Sequence, residues 1–163
     1  MELWDIRDES GAVTGRVIER GRPLQDGEFH LIVDVWIKNA KGEYLISRRS
    51  PFKEPEAGRW EPTCGCAISG DSSLEAALRE TREELGIDLL PENGKMIKRF
   101  LNSEHRYMVD VWLFHQEVDM VNVVLQPGET DAAKWAAISD IADMQRSGSF
   151  IRYIRIPYLD QLP

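Results

Sequence analysis

The sequence is poor in cysteine, in histidine and in positive charge. Its 163 residues hold two cysteines, Cys64 and Cys66, and three histidines. Two thiols one residue apart cannot frame a disulfide-stapled fold, and C-x-C without a second pair does not complete a zinc site. Both cysteines therefore read as small buried side chains. No apolar run approaches the roughly 18 residues of a membrane-spanning helix, so no membrane partner is expected. The opening MELWDIRDES lacks the basic and apolar regions of a secretory leader, which points to a cytoplasmic protein. A formal net charge of -8 argues against a nucleic-acid polymer or an anionic membrane surface as partner. It leaves room for a small phosphorylated substrate, provided a bound cation reverses the sign locally. Internal repeats and low-complexity segments are also absent.

What is present suits one domain over residues 1–163, since 42% apolar and 29% charged residues are ordinary for a globular chain. Residues 1–28 carry a turn signal, Asp8-Glu9-Ser10-Gly11, between Leu3–Arg7 and Val13–Ile18, and predict a hairpin extension. Phe29–Lys38 alternates and is rich in β-branched residues, so it predicts a strand. After the turn Asn39–Gly42, Tyr44–Arg48 predicts its hairpin partner. Ser50–Pro62, with Pro51, Pro55, Pro62 and Gly58, predicts a long loop of the kind that carries function. Thr63–Ile68, Met96–Leu101, Tyr107–His115 and Lys134–Ala136 predict further strands. Ser139 or Asp140 is placed to cap a second helix over Ile141–Ser147, and the tail Phe150–Leu162 is apolar enough to pack back. Strands and two helices in this order predict an α/β (α+β) fold with a central mixed β-sheet flanked by helices.

The most informative stretch is Gly65–Ile87. Ser72 and Glu75 form a capping box, and Gly86 is a suitable helix stop. Leu74, Ala77, Leu78, Thr81 and Leu85 make an apolar stripe at helical spacing. Glu80, Glu83 and Glu84 stand at i, i+3 and i+4 on its border. Like charges at that spacing repel by a few tenths of a kcal/mol each, so a cation is expected among them. An oxygen-only donor set suits Mg²⁺ or Mn²⁺ rather than zinc. Arg48 and Arg49, with Lys53 behind them, form a basic patch able to grip phosphate oxygens.

The same stretch resembles the Nudix box, G-x(5)-E-x(7)-R-E-U-x-E-E-x-G-U with U aliphatic. Gly65, Arg79, Glu80, Glu83, Glu84, Gly86 and Ile87 fall in register, while Asp71 replaces a Glu and Thr81 an aliphatic residue. The shorter Asp71 is expected to brace Arg79 less directly. The resemblance implies an α/β/α sandwich and a Mg²⁺-dependent hydrolase, with Mn²⁺ as substitute, cleaving a nucleoside diphosphate derivative or related small diphosphate. It implies Glu83 and Glu84 as metal ligands, Glu80 as ligand or base, the Cys64 backbone carbonyl as a further ligand, and Arg79 as the group that holds Glu80. Glu129 resembles an additional glutamate that serves some members as ligand or base. Arg48, Arg49, Lys53, His30 and Trp60 are the substrate-binding candidates, and a homodimer is an expectation of the fold.

Within the family, Phe29-His30-Leu31, Ser47-Arg48-Arg49, Trp60 and Cys64-Gly65 resemble the opening of isopentenyl-diphosphate isomerases. Those enzymes carry a catalytic Cys where Cys64 stands and a metal-binding His where this chain has Cys66. The isomerase is thus the alternative activity, and a non-catalytic nucleotide-sensing module is a third reading.

Overall fold

The computed structural model describes residues 1–152 and 155–163. Strands β1 (Leu3–Arg7) and β2 (Val13–Glu19) form an antiparallel hairpin of their own. Its turn is held by the Asp8 carboxylate, which accepts from the Ser10 and Ala12 amides at 2.9 and 3.1 Å. The second turn works alike: Asn39 Oδ1 accepts from the Lys41 and Glu43 amides at 3.0 and 2.9 Å. That turn joins β3 (His30–Lys38) to β4 (Tyr44–Arg49). β5 (Trp60–Glu61) and β6 (Thr63–Cys66) lead into helix α1 (Ser73–Leu85). β7 (Gly94–Asn102), β8 (Tyr107–His115) and β9 (Thr130–Ala136) follow, and helix α2 spans Ile138–Ser147.

The main sheet runs β5-β4-β3-β8-β7, with β6 also paired to β3 and β9 to β4. β3 and β8 are parallel, in register from His30 opposite Tyr107 to Lys38 opposite His115, while β7, β4 and β6 pair antiparallel to their neighbours. The sheet is therefore mixed, as the element order predicts. β3 is buried on both faces, which is why its apolar run is almost unbroken. Leu31, Val33, Val35 and Ile37 pack with Ala76, Ala77 and Leu85 of α1. Ile32 and Trp36 face the other way, into a second core with Ile141 of α2 and Phe150, Ile156 and Tyr158 of the tail. Two cores on opposite faces make the sandwich.

One edge of β3 forks. Ile37 and Lys38 pair with β4, whereas Ile32 to Val35 pair with β6. The chain between these partners, including the proline-rich loop, opens a cleft beside the N-terminal half of β3.

Several boundaries differ from the sequence expectation: β5 forms inside the expected loop Ser50–Pro62, β6 stops at Cys66, and β7 runs from Gly94 to Asn102. Helix α2 begins at Ile138, with Ala137 as the residue before it. Asp140 sits in the first turn and accepts from the Ala137 amide at 3.2 Å, so it caps from inside rather than from the N-cap position. The last strand starts at Thr130, because pairing with β4 extends from Tyr44–Ala136 to Arg49–Thr130. No helix among the described residues is long and apolar enough to cross a membrane.

The second core contains one buried polar chain. Trp36 Nε1 donates to Tyr158 Oη at 3.0 Å, and Tyr158 donates to Asp34 Oδ2 at 2.5 Å. Removing the hydroxyl leaves a buried donor and a buried carboxylate short of a partner. Tyr158→Phe is expected to lower unfolding free energy by about 1–3 kcal/mol in urea titration; an unchanged midpoint would show that the chain contributes nothing.

Candidate active site

Helix α1 starts at a full capping box. The Glu75 amide donates to Ser72 Oγ at 3.2 Å, and the Ser72 amide donates to Glu75 Oε2 at 2.8 Å. It ends at Gly86, whose φ of 67° is left-handed. Between these ends Arg79 binds four groups. Its Nε and Nη2 donate to Asp71 Oδ2 at 3.2 and 3.0 Å, and Nη2 also donates to the Cys66 carbonyl at 2.9 Å. Its Nη1 donates to Glu80 at 2.8 Å and to Glu83 at 3.2 Å. Asp71 therefore braces Arg79 directly, contrary to the expectation drawn from its shorter side chain. The turn preceding α1 makes up the missing methylene, since the Ile68 amide fixes Asp71 Oδ2 at 3.2 Å. Thr81, buried among apolar neighbours, satisfies its hydroxyl on the Ala77 carbonyl at 2.9 Å.

Gly65 explains the approach of β6 to the helix. A Cβ there would lie 1.9 Å from Glu80 Cδ, so only glycine leaves room for that carboxylate.

Glu84 lies deeper than the helical border: it is 3% exposed, on the core side of its neighbours. Burial first, then the nearby Glu61 carboxylate, pushes its pKa up to about 8. Lys53 Nζ lies 3.8 Å from Glu84 Oε1 and pairs with Glu129, while Glu84 Oε2 is buried without a hydrogen-bond partner among the described residues. Glu61, 2% exposed, is held by Arg49 Nη1 at 2.9 and 3.2 Å. Glu129 arrives because the segment before β9 closes the end of α1. The Gln126 amide and the Thr130 hydroxyl donate to the Glu84 carbonyl at 3.0 and 3.2 Å, and the Val124 amide donates to the Leu85 carbonyl at 2.9 Å.

These groups line a cleft of about 430 Å³. It brings together Arg79, Glu80, Glu83, Glu84, Glu129, Cys64, Arg49 and Lys53 from the sequence-based set. Three members lie elsewhere. Arg48 forks onto Asp131 at 2.7 and 3.1 Å and sits 5.7 Å over the Trp60 ring. Trp60 also receives Lys134 at 4.5 Å, and neither Arg48 nor Trp60 is among the residues lining the cleft. His30 stacks on Trp4 at 4.2 Å and borders a separate hollow of about 220 Å³; burial pushes its pKa down to about 4. The cleft also contains Glu2 and Arg20 from the hairpin, and Arg155 from the tail. Sequence reasoning missed these because none belongs to a motif; an arginine inside an apolar tail was the only signal for Arg155.

Both cysteines are free and partly buried. Burial pushes Cys66 up to about 11 and Cys64 well above its usual value, so both are thiols at neutral pH. Among the described residues, no group of three acidic, histidine or cysteine side chains converges on one point. Glu80 and Glu83 turn instead to Arg79, and Glu129 to Lys53.

A crystal structure of a Deinococcus radiodurans protein shares this architecture, with a TM-score of 0.78 over 98% of each chain at 20% identity. Loop, helix and acidic cleft together define a Nudix-type protein. A NUDIX domain model matches residues 28–154, and the chain belongs to that family as a Nudix hydrolase. An uncharacterized Nudix hydrolase of Listeria monocytogenes is 34% identical over 99% of this chain and 94% of its own. An isopentenyl-diphosphate Delta-isomerase of Paenarthrobacter aurescens is 30% identical over 85% of this chain and 76% of its own.

Glu84 gives a pH signature to the metal-free protein. Its folded pKa of about 8 exceeds the unfolded value of 4.5, so the folded state holds the extra proton between them and loses stability as pH rises through 8. In EDTA, Glu84→Gln is expected to melt higher than the parent at pH 9 and near it at pH 5. Parallel melting curves across that range would mean Glu84 is not the group responsible.

Proposed function

We propose that this protein hydrolyses a phosphoric anhydride in a small diphosphate, a nucleoside diphosphate derivative or a related compound, with Mg²⁺ and with Mn²⁺ as substitute. One observation carries the reading: a single cleft sets Glu80, Glu83, Glu84 and Glu129 against Arg49, Lys53 and Arg155, and one buried carboxylate oxygen in it, on Glu84, lacks a partner. Carboxylates that crowd and repel suit a hard divalent cation, and the cations suit the phosphates it would accompany. By its chemistry the donor set suits the ion, and binding one requires Glu80 and Glu83 to turn from Arg79, since no three such side chains converge among the described residues. Glu83 and Glu84 are the proposed ligands, Glu80 a ligand or base, and the Cys64 carbonyl a further ligand.

When bound, such an ion supplies Lewis-acid activation of the anhydride and charge neutralisation. The protein's own groups do the positioning. Asp71 fixes Arg79, and Arg79 holds Glu80 at 2.8 Å, so the carboxylate reaches its task already oriented. Glu129 sits on a loop tied to the end of α1 and is the other candidate for taking a proton from water. Lys53 pairs with Glu129 in the resting cleft, lies 3.8 Å from Glu84, and is placed to transfer to a phosphate oxygen when substrate enters.

The isomerase is a second reading, favoured by the similarity to the Paenarthrobacter enzyme and by Cys64 lining the cleft. Both readings are tested by one panel with Mg²⁺: sugar nucleotides, ADP-ribose, dinucleoside polyphosphates, CDP-alcohols and isopentenyl diphosphate. Phosphate or nucleoside monophosphate release is expected, abolished by EDTA. Glu83→Gln should lower it by at least the roughly 10–100-fold that loss of an outer-shell partner costs a metal site. Full activity in Glu83→Gln would remove the ligand assignment. An allylic product from isopentenyl diphosphate, lost in Cys64→Ala, would replace hydrolysis by isomerisation.

A further inference from the structure

We propose that Arg155 is a phosphate-binding residue of the cleft, the guanidinium that receives one phosphate of the substrate. The inference rests on the diphosphate reading above and adds a residue that lies just beyond the 28–154 match to the family model.

Every other cation lining the cleft already has a carboxylate. Arg79 has Asp71, Glu80 and Glu83; Arg49 has Glu61 at 2.9 Å; Arg20 has Glu2 at 3.0 Å; Lys53 has Glu129. Arg155 has no carboxylate within ion-pair distance among the described residues. Its side chain donates through Nη2 to Cys64 Sγ at 3.4 Å, and a thiol sulfur is a weak acceptor. Asp34 and Glu61 lie close enough for their charge to act on Arg155, but Tyr158 and the Cys64 thiol bind Asp34, and Arg49 holds both oxygens of Glu61.

The fold holds this arginine in place. After α2 the tail runs beside β5: the Trp60 amide donates to the Ser149 carbonyl, and the Ile151 amide to the Trp60 carbonyl, both at 2.9 Å. Phe150 and Ile151 before Arg155, and Ile156, Tyr158 and Leu159 after it, are buried. Anchors on both sides deliver the side chain to β6 at Cys64, in the wall of the cleft. A partly buried guanidinium without a carboxylate is costly unless an anion completes it. Its planar fork suits a phosphate, with two parallel N–H donors for two oxygens. The neighbouring glutamates exclude a bare anion, so the phosphate group enters with its cation.

The test is calorimetric titration of the full chain with methylenediphosphonate and Mg²⁺, a pair that cannot be hydrolysed. Arg155→Gln is expected to raise Kd about tenfold or more, in line with loss of a charged hydrogen bond. Arg155→Lys, which keeps the charge without the fork, should fall between. Arg22→Gln, on the separate hollow, should bind as the parent does. Melting curves of each variant confirm folding, and if the Gln variant does not fold the Lys variant decides. Kd within twofold of the parent in the folded variants overturns the assignment, as does a parent that does not bind the probe. On a hydrolysed substrate Arg155→Gln should raise KM with kcat changed far less. A parent that binds the probe through Arg155 yet cleaves nothing in the panel would remove the hydrolase reading and leave this one standing; cleavage with unchanged probe binding in Arg155→Gln would do the reverse.

Discussion

Five carboxylates and two cations, a guanidinium and an ammonium, set the terms for the whole cleft. Asp71, Glu80 and Glu83 meet at Arg79, while Glu84 and Glu129 share Lys53. Without Arg79, Glu80 and Glu83 would repel along the same helix face by a few tenths of a kcal/mol and have no fixed direction. With it, they are both partly neutralised and aimed. The hub also ties the helix to the loop before it through the Cys66 carbonyl and Asp71, so helix position and carboxylate position are one constraint. Gly65 completes it from the opposite side by leaving space for Glu80.

The rest of the fold serves to hold that hub at a forked sheet edge. β3 is covered on both faces, by α1 on one side and by α2 and the tail on the other. Its exchange of β4 for β6 as partner separates two pieces of chain that would otherwise close the sheet. The cleft opens there, and the segment 123–130, which satisfies the terminal carbonyls of α1, lines it through Gln126 and Glu129. One set of hydrogen bonds thus ends the helix and delivers Glu129.

Much of this was legible. The alternation of Phe29–Lys38, the capping box at Ser72 and the stop at Gly86 predict elements that the structure contains, and the acidic spacing predicts one carboxylate face. Less legible was depth. Glu84 follows Glu83 by one residue, yet it is 3% exposed while Glu83 is exposed, because a step of 100° around the helix carries it to the packed side. The second helix began three residues early because Asp140 caps equally well from the first turn, an ambiguity that sequence does not resolve.

The basic side of the cleft shows where the limit falls. Arg48 and Arg49 are neighbours on β4, and successive residues of a strand point to opposite faces. Arg49 enters the cleft onto Glu61, and Arg48 turns outward to Asp131 and Trp60. The sequence by itself determined the acidic loop-helix, the family and the two-faced central strand, because these depend on short-range spacing and local caps. Which cations meet the glutamates was decided only by the tertiary structure. Arg20, Lys53 and Arg155 come from a hairpin, a loop and a tail far apart in the chain, and only long-range packing brings them to one wall.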